Sequence, residues 1–162
     1  GCTPSSDTKV FIGNGRTVNI NVAADAVDVN VENTGTLRWT ANNLDLNIRR
    51  GGSVIVSSGG TLTRNGFTGA QIDFDDPYTN LISVATGGTL SVEDIDINGA
   101  TSVTFSGGGT VTLSDDLLMG VNDGLVTNNM TGTLTITDQL NFEVSGVDFV
   151  NNGSAMTVQG AT

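Results

Sequence analysis

The sequence predicts an all-β fold, a single-stranded parallel β-helix (solenoid) of about six coils with a repeat of 21–28 residues. Three observations lead to this prediction. A glycine followed by Thr or Ser and then by an apolar residue recurs along the chain at nearly even intervals. Around this motif apolar and polar side chains alternate with the period of a β-strand. The chain is also rich in Thr and Val, which favour strands, and in Gly and Asn, which supply tight turns.

The motif glycines give an alignment of the repeats, and we interpret them as structural turn glycines: Gly35, Gly60, Gly88, Gly109, Gly132 and Gly153. Two residues after each glycine, and four and six residues before it, the side chain is apolar, with Asn128 as the one exception. A third apolar segment fills most intervals, for example Leu44–Ile48 and Leu117–Met119. Three short strands per coil predict a β-helix, whereas an antiparallel sandwich has no reason to repeat one motif so evenly.

Two regions depart from the repeat. Residues 1–16 are polar and rich in turn formers, so we expect an N-terminal capping segment, with the β-helix covering 17–162. Residues 64–80 lie in the longest interval and contain Pro77 and the only tyrosine, Tyr78, which predicts a loop excursion from the rod. No polar cap precedes Thr162. Because the unpaired backbone groups at an open solenoid end readily pair with other strands, we expect the remainder of a longer chain or an associated partner there.

Composition excludes several classes of function. The chain carries 17 acidic and 6 basic residues, a net charge of −11, and no histidine. Imidazole-based catalysis is therefore excluded, and a surface that repels polyanions argues against a nucleic-acid partner. The single cysteine, Cys2, allows no intrachain disulfide, and no apolar run reaches the roughly 20 residues of a membrane span.

Two stretches carry a family resemblance. Gly87-Gly88-Thr89-Leu90-Ser91-Val92 and Gly108-Gly109-Thr110-Val111-Thr112-Leu113 resemble the passenger and adhesin β-helices of bacterial surface proteins, of the autotransporter-passenger type. The segment from Asp7 to Val18 is similar to segments that open β-helical regions in large secreted surface proteins of the Bacteroidetes, and distantly to the start of a G8-type domain. The resemblance implies surface display and adhesion or a stalk, and it implies no catalytic residue.

Three aspartates follow the aligned glycines at the same distance, namely Asp94, Asp115 and Asp138. In register they would form a column with a spacing of about 4.8 Å, which invites a cation such as Ca²⁺ or mutual elevation of pKa values. The alternative, which we favour, is that each carboxylate caps its own turn by accepting nearby backbone N–H bonds. The nonapeptide calcium repeat of Gly-Gly-x-Gly-x-Asp is absent from the sequence.

A second acidic group consists of Asp73, Asp75 and Asp76, in the predicted excursion. Paired carboxylates perform general acid–base hydrolysis in glycosidases, so these residues are the candidates for a carbohydrate site, against the plainer interpretation as a solvated loop. Trp39 falls at an inward strand position and is expected in the core rather than as a sugar-stacking platform. The pairs Asn128-Asn129 and Asn151-Asn152 predict a short asparagine ladder.

From the residues and the resemblance together we expect a noncatalytic structural or adhesive module of an exported bacterial surface protein. It would be a stiff rod that presents loops to a surface ligand, which is a carbohydrate or a protein. The alternative is a carbohydrate-binding or carbohydrate-cleaving β-helix that uses the 73–76 acidic loop. We expect no enzyme activity, no obligatory cofactor apart from the candidate Ca²⁺, and a location outside the cell or on its surface.

Overall fold

A computed structural model describes residues 7–153 and 155–160 as an all-β parallel solenoid. Cys2 and the first six residues of the predicted capping segment lie outside the described residues. The strands, in chain order, are β1 (Lys9–Ile12), β2 (Thr17–Ile20), β3 (Ala24–Val31), β4 (Thr36–Trp39), β5 (Leu44–Val56), β6 (Thr61–Thr63), β7 (Ala70–Asp73), β8 (Thr79–Val84), β9 (Thr89–Val92), β10 (Asp94–Ile97), β11 (Ser102–Gly107), β12 (Thr110–Leu113), β13 (Leu117–Met119), β14 (Leu125–Met130), β15 (Thr133–Ile136), β16 (Leu140–Phe142), β17 (Asp148–Asn151) and β18 (Ala155–Val158).

These strands wind into about six coils whose strands lie on three faces. The first face consists of β1, the C-terminal parts of β3 and β5, β8, β11, β14 and β17. The second face consists of β2, β4, β6, β9, β12, β15 and β18. The third face consists of the N-terminal parts of β3 and β5, β7, β10, β13 and β16. Every pairing is parallel, which confirms the predicted fold class.

The third and first faces join where β3 and β5 run around a corner. Leu44–Asn47 of β5 pair with β7, and Ser53–Val56 of the same strand pair with β8. The β3–β5 ladder shifts register between Ala26 and Asp28, where β5 has three more residues than β3, and these residues form the bend. The strand thus supplies two sides of one coil without a loop.

The core occupies the interior of the coils along the whole stack. Strand alternation turns every second side chain inward, so the buried set is almost entirely aliphatic and aromatic. Trp39 is fully buried, as predicted, and its indole Nε1 donates to the carbonyl oxygen of Leu44 at 2.8 Å. Two of the buried residues in the described part of the chain are polar, Asn80 and Asn128. Asn128 is the exception in the sequence alignment, and it still points inward.

The predicted asparagine ladder is confirmed at the C-terminal end of the first face. The Nδ2 of Asn128 donates to Oδ1 of Asn151 at 2.9 Å, and the Nδ2 of Asn152 donates to Oδ1 of Asn129 at 3.1 Å. Asn128 Oδ1 also accepts the backbone N–H of Met130 at 3.1 Å, which supplies an acceptor for a buried donor. These amides join two coils where the inward column ceases to be apolar.

The second-face register agrees with the glycine alignment for five repeats. Leu62, Leu90, Val111 and Leu134 are paired in succession. The alignment is wrong in the last coil, where Leu134 pairs with Met156 and not with Ala155. One additional residue between the two motifs moves the strand by one position. Because strands have a period of two, that shift places Ala155 on the outer side.

The first-face register departs from the alignment by two residues between β8 and β11 and again between β14 and β17. The alignment opposes Val103 to Ile82, but Phe105 is the partner of Ile82 and Val103 pairs with Asn80. The turn that follows β11 is two residues shorter than the turn that follows β8. Relative to the aligned glycines, β11 is therefore displaced by two residues along its own direction. A shift of two leaves every side chain on its own side, so Val103 and Phe105 are both fully buried as predicted.

Residues 64–80 contain a strand as well as turns. A turn closes at Phe67, whose N–H donates to the carbonyl of Arg64 at 3.0 Å, and β7 follows. Ile72 and Phe74 are fully buried and fill the third face between β5 and β10. Tyr78 is about half exposed at the corner before β8. Within the predicted capping segment, 1–16, residues Lys9–Ile12 form β1, which pairs in register with β3.

Candidate functional site

The outer surface of the third face holds a row of acidic side chains. Asp73 lies on β7 with Asn47 of β5 on one side and Asp96 of β10 on the other, in register. Asp45 lies two residues before Asn47 on β5. We name Asp45, Asp73 and Asp96 the acidic strip. Adjacent parallel strands are about 4.8 Å apart, so Asp73 and Asp96 are direct cross-strand neighbours.

Burial and like charge change the protonation of this strip. The pKa of Asp73 is raised to about 7, mainly by burial and further by the charges of Asp45 and Asp96. Burial also raises the pKa of Asp96. One carboxyl oxygen of each, Asp73 Oδ1 and Asp96 Oδ1, is buried without a hydrogen-bond partner. The repulsion between two neighbouring carboxylates is relieved when one of them is protonated, which leaves a neutral carboxylic acid beside a carboxylate.

Asp75 and Asp76, predicted to act with Asp73, are held by arginines at the end of the strip. Arg49 Nη1 lies 3.0 Å from Asp75 Oδ2, and the Nε of Arg49 lies 3.2 Å from Asp25 Oδ1. The Oδ2 of Asp76 accepts the backbone N–H of Arg50 at 2.9 Å. Asp75 and Asp76 are thus bound by a cation or a backbone N–H, whereas Asp73 faces the strip, where the charge of Asp75 still raises its pKa.

A second acidic group lies at the corner between the second and third faces. It consists of Glu93, Asp94, Asp115, Asp116 and Asp138, which we name the corner cluster. Two triads share Asp115 within it, and in each triad one oxygen per residue lies within 4.8 Å of the others. Ca²⁺ binds carboxylate oxygens, so each triad could supply three of the roughly six to eight oxygen ligands that the ion takes.

The predicted column of Asp94, Asp115 and Asp138 is only partly in register. Because β10 pairs Ile95 with Leu117, the neighbour of Asp94 is Asp116. Indeed Asp94 Oδ1 accepts the N–H of Asp116 at 2.9 Å, and Asp116 Oδ1 accepts the N–H of Gln139 at 2.8 Å. The corner after β9 is one residue shorter than the corners that follow it. This difference brings Glu93 beside Asp115 and displaces Asp94.

The corner cluster also shows shifted protonation. The pKa of Asp94 is raised to about 6, chiefly by burial, with the Asp115 charge adding to it. The pKa of Asp115 is raised by burial and by the charges of Asp116 and Asp138. Glu93 is already engaged, since its Oε2 accepts the N–H of Gly69 at 2.6 Å. Backbone N–H groups therefore bind some of these carboxylates, but the N–H that Asp94 accepts belongs to the next coil and not to its own turn.

The motif glycines lie where neighbouring coils approach closely. A Cβ built on Gly60 would lie 2.8 Å from the carbonyl oxygen of Val31, and one on Gly88 would lie 2.7 Å from that of Ser57. Neither glycine has a positive φ; the preceding Gly59 and Gly87 do. The structural reason for these glycines is thus the carbonyl of the coil below, not the left-handed backbone that the composition suggests.

Sequence reasoning missed Asp45, Asp96, Glu93 and Asp116. The alternation Asp94-Ile95-Asp96-Ile97 carries a signal for Asp96, because two inward isoleucines place both aspartates outside. Its partner Asp73 was hidden because residues 64–80 read as a loop. No residue-level signal places Glu93 beside Asp115, since a single missing residue at a corner sets that contact.

Among residues 7–153 and 155–160, no helix is long and apolar enough to cross a membrane. Comparisons of the sequence and the fold with protein-family models, curated proteins and solved structures match none of them, so the function has to be argued from the geometry of this chain.

Proposed function

We propose that this chain is a noncatalytic structural or adhesive module of an exported bacterial surface protein. In this role the solenoid is a stiff spacer, and its turns and corners present contacts to a surface ligand, a carbohydrate or a protein. The proposal that the rod is displayed on a surface rests on the resemblance of the Gly-Gly-Thr repeats to adhesin β-helices.

One observation carries the proposal, the continuous core of the stack. Columns such as Leu62, Leu90, Val111 and Leu134 run through successive coils in unbroken register, and all four side chains are buried. Each coil is hydrogen-bonded to the coils beside it, so bending or stretching the rod must break several ladders together. Such a stack is suited to carrying load and resisting proteolysis.

The distribution of charge supports the same role. All six basic residues precede residue 65, whereas twelve of the 17 acidic residues follow it. A large negative charge keeps the rod soluble and discourages lateral association with anionic surfaces. Contacts with a ligand are then left to neutral surface and to the corners.

Limited proteolysis tests the rod. We expect the wild-type chain to remain intact in proteinase K while a variant with a broken core, Val103→Asp, is digested under the same conditions. The outward neighbour Thr104→Asp is the matched control and should be as resistant as the wild type. Rapid digestion of the wild-type chain into coil-sized fragments would contradict the proposal of a stiff rod.

Adhesion needs a separate measurement. Beads coated with the folded chain should be retained on surfaces coated with polysaccharides or matrix proteins, and the soluble chain should compete for retention. Beads coated with heat-denatured chain provide the control. Retention that is equal for folded and denatured chain would contradict specific adhesion and leave the spacer role.

A second candidate function, a carbohydrate-cleaving β-helix, is favoured by the acidic strip. General acid catalysis needs a carboxyl that is protonated near neutral pH beside one that is ionised. Asp73, with a pKa raised to about 7, supplies the protonated carboxyl, and its cross-strand neighbour Asp96 is the candidate for the second one. The pair replaces the 73–76 group of the sequence prediction, because Asp75 and Asp76 are engaged elsewhere.

Release of reducing ends from polysaccharides tests this candidate. Activity in the wild-type chain that is lost in Asp73→Asn and kept in Asp76→Asn would establish the acid pair and overturn the noncatalytic proposal. If the wild-type chain releases no reducing ends from neutral or acidic polysaccharides, the acidic strip has no glycosidase role.

A further inference from the structure

The outer side of the second face is covered by hydroxyl groups. Five consecutive strands on this face, β6, β9, β12, β15 and β18, have ten outward positions, and nine of them carry Thr or Ser, the tenth being Ala155. We name these ten positions the hydroxyl face: Thr61, Thr63, Thr89, Ser91, Thr110, Thr112, Thr133, Thr135, Ala155 and Thr157. In a chain with a net charge of −11, none of the ten is charged.

The hydroxyls form two parallel columns in unbroken register. Thr89 pairs with Thr110 and Thr110 with Thr133, while Ser91 pairs with Thr112 and Thr112 with Thr135. Neighbouring rows are therefore about 4.8 Å apart across the strands, and the two columns are about 6.6 Å apart along them. No register shift interrupts the ladders of this face, in contrast to the bend between β3 and β5.

Nearly all of these hydroxyls remain available to a ligand. Within the described residues only Thr63 is engaged, its Oγ1 accepting the N–H of Asn65 at 3.1 Å. Thr side chains are stiff at χ1, so the array is held in place before any ligand arrives, and little rotamer entropy is lost on binding. The corresponding outer side of the first face is irregular, with Leu81 and Thr104 following one another in one column.

The chemistry of the hydroxyl face excludes several partners. It offers no arginine or lysine for phosphates and no carboxylate for metal ions. Its area is roughly 300 Å², from five strands of about 13 Å length, well below the roughly 800 Å² per partner of a stable protein interface. It also lacks the aromatic and arginine anchors of binding hot spots. A ligand that engages the whole array is therefore neutral and has a two-dimensional repeat of its own.

We propose that the hydroxyl face adsorbs to ice. Oxygen atoms on the prism face of hexagonal ice repeat along two perpendicular directions with spacings close to those of the array. Each Thr hydroxyl can donate to and accept from a lattice water, and the methyl groups between the hydroxyls confine further waters to the same lattice. The proposal adds a ligand on one face and is independent of the adhesive role of the rod.

Ice recrystallisation inhibition tests the proposal on the intact chain. We expect the wild-type chain to halt crystal growth and to shape single ice crystals, whereas the double variant Thr112→Tyr/Thr135→Tyr loses both effects. The bulky rings interrupt the array at its centre while lying on the outside of the fold. The matched control is Thr104→Tyr/Thr127→Tyr, which changes paired outward threonines on the first face.

The melting temperature of each variant by circular dichroism shows whether it has folded. Retention of both effects in the control, with loss only in the second-face variant, supports the proposal. Wild-type chain that leaves ice growth unchanged overturns it. So does equal loss, or equal retention, in two folded variants, because the effect would then not belong to the hydroxyl face.

Discussion

At the scale of single residues, carboxylates in this protein join neighbouring coils. Asp28 Oδ1 accepts the N–H of Ser53 at 3.1 Å and its hydroxyl at 2.9 Å. Asp94 accepts the N–H of Asp116 in the same way. Each bond satisfies a backbone donor at a corner, where the ladder between strands is interrupted. Asp73 differs, since one of its buried oxygens has no partner.

The protonation of Asp73 predicts a pH dependence of stability. Its pKa is raised from 3.8 to about 7, so between these pH values the folded chain binds more protons than the unfolded chain. Stability should therefore fall as the pH rises through this range, and the loss is complete above the folded-state pKa. We expect Asp73→Asn to melt at a higher temperature than the wild-type chain at pH values above about 7, and at the same temperature below about pH 4.

The measurement is thermal unfolding by circular dichroism over this pH range. Asp148→Asn, which removes an exposed carboxylate at the last coil, provides the comparison for a simple change in net charge. An Asp73→Asn variant whose advantage is constant with pH, or equal to that of Asp148→Asn, would contradict the role of burial at Asp73.

The inward column at Val103 predicts a large loss of stability. Val103 is fully buried, so Val103→Asp places an unpaired charge in the core and should lower the free energy of unfolding by at least about 3 kcal/mol. Thr104→Asp, one residue further on and on the outer side, should cost far less. Equilibrium urea unfolding measures both, and a Val103→Asp loss below about 0.5 kcal/mol would place Val103 outside the core.

At the scale of elements, the corners decide which side chains meet. After β9 two residues, Glu93 and Asp94, lie between the paired positions Val92 and Ile95, whereas after β12 three residues lie between their partners Leu113 and Leu117. Carboxylates from three coils consequently converge on Asp115. Their mutual repulsion raises the pKa of Asp115, beyond the effect of burial, and a bound cation would remove it.

Calcium should stabilise the chain through this corner cluster. We expect millimolar Ca²⁺ to raise the melting temperature of the wild-type chain, because an ion bound by the corner cluster would stabilise the folded state. We also expect EDTA to reverse the rise. Asp115→Asn removes the carboxylate that both triads share and should abolish the rise. Asp75→Asn, outside the cluster, should retain it. An unchanged wild-type melting temperature would leave these carboxylates as backbone caps.

At the scale of the whole molecule, charge is distributed unevenly along the rod. The chain before residue 65 has six basic and five acidic residues, and the chain after it has twelve acidic and no basic residues. The C-terminal coils therefore repel one another along the third face and its corners. The hydroxyl face runs through the same coils without a charge.

Salt should stabilise the chain by screening this repulsion. Raising NaCl from about 0.1 M to about 1 M shortens the Debye length from about 10 Å to about 3 Å, below the separation of most of these carboxylates. We expect the melting temperature to rise, and to rise less in Asp115→Asn/Asp116→Asn, which removes two of the charges. Equal salt dependence in both chains would show that the corner cluster adds nothing to the repulsion.

The amino-acid pattern alone specifies the fold class, most of the inward columns and the strands that carry them. Alternating apolar residues such as Leu90 and Val92 are buried together only when that side of the strand faces the core. The recurrence of Gly-Thr-Leu at nearly even intervals indicates that equivalent strands of successive coils stack on one another. Local chemistry therefore sufficed. It also placed Trp39 in the core and predicted the asparagine ladder.

The register between coils, and the acidic groups that depend on it, follow from the three-dimensional path of the chain. A corner that is one or two residues shorter keeps the local pattern intact but moves each strand along its neighbour. Asp94 thereby lies beside Asp116. Asp73 lies beside Asp96 of β10, and its own strand, β7, falls in a segment whose sequence predicts a loop. Sequence patterns report which way a side chain faces, whereas its neighbours on the next coil are set by the length of the path around the corners.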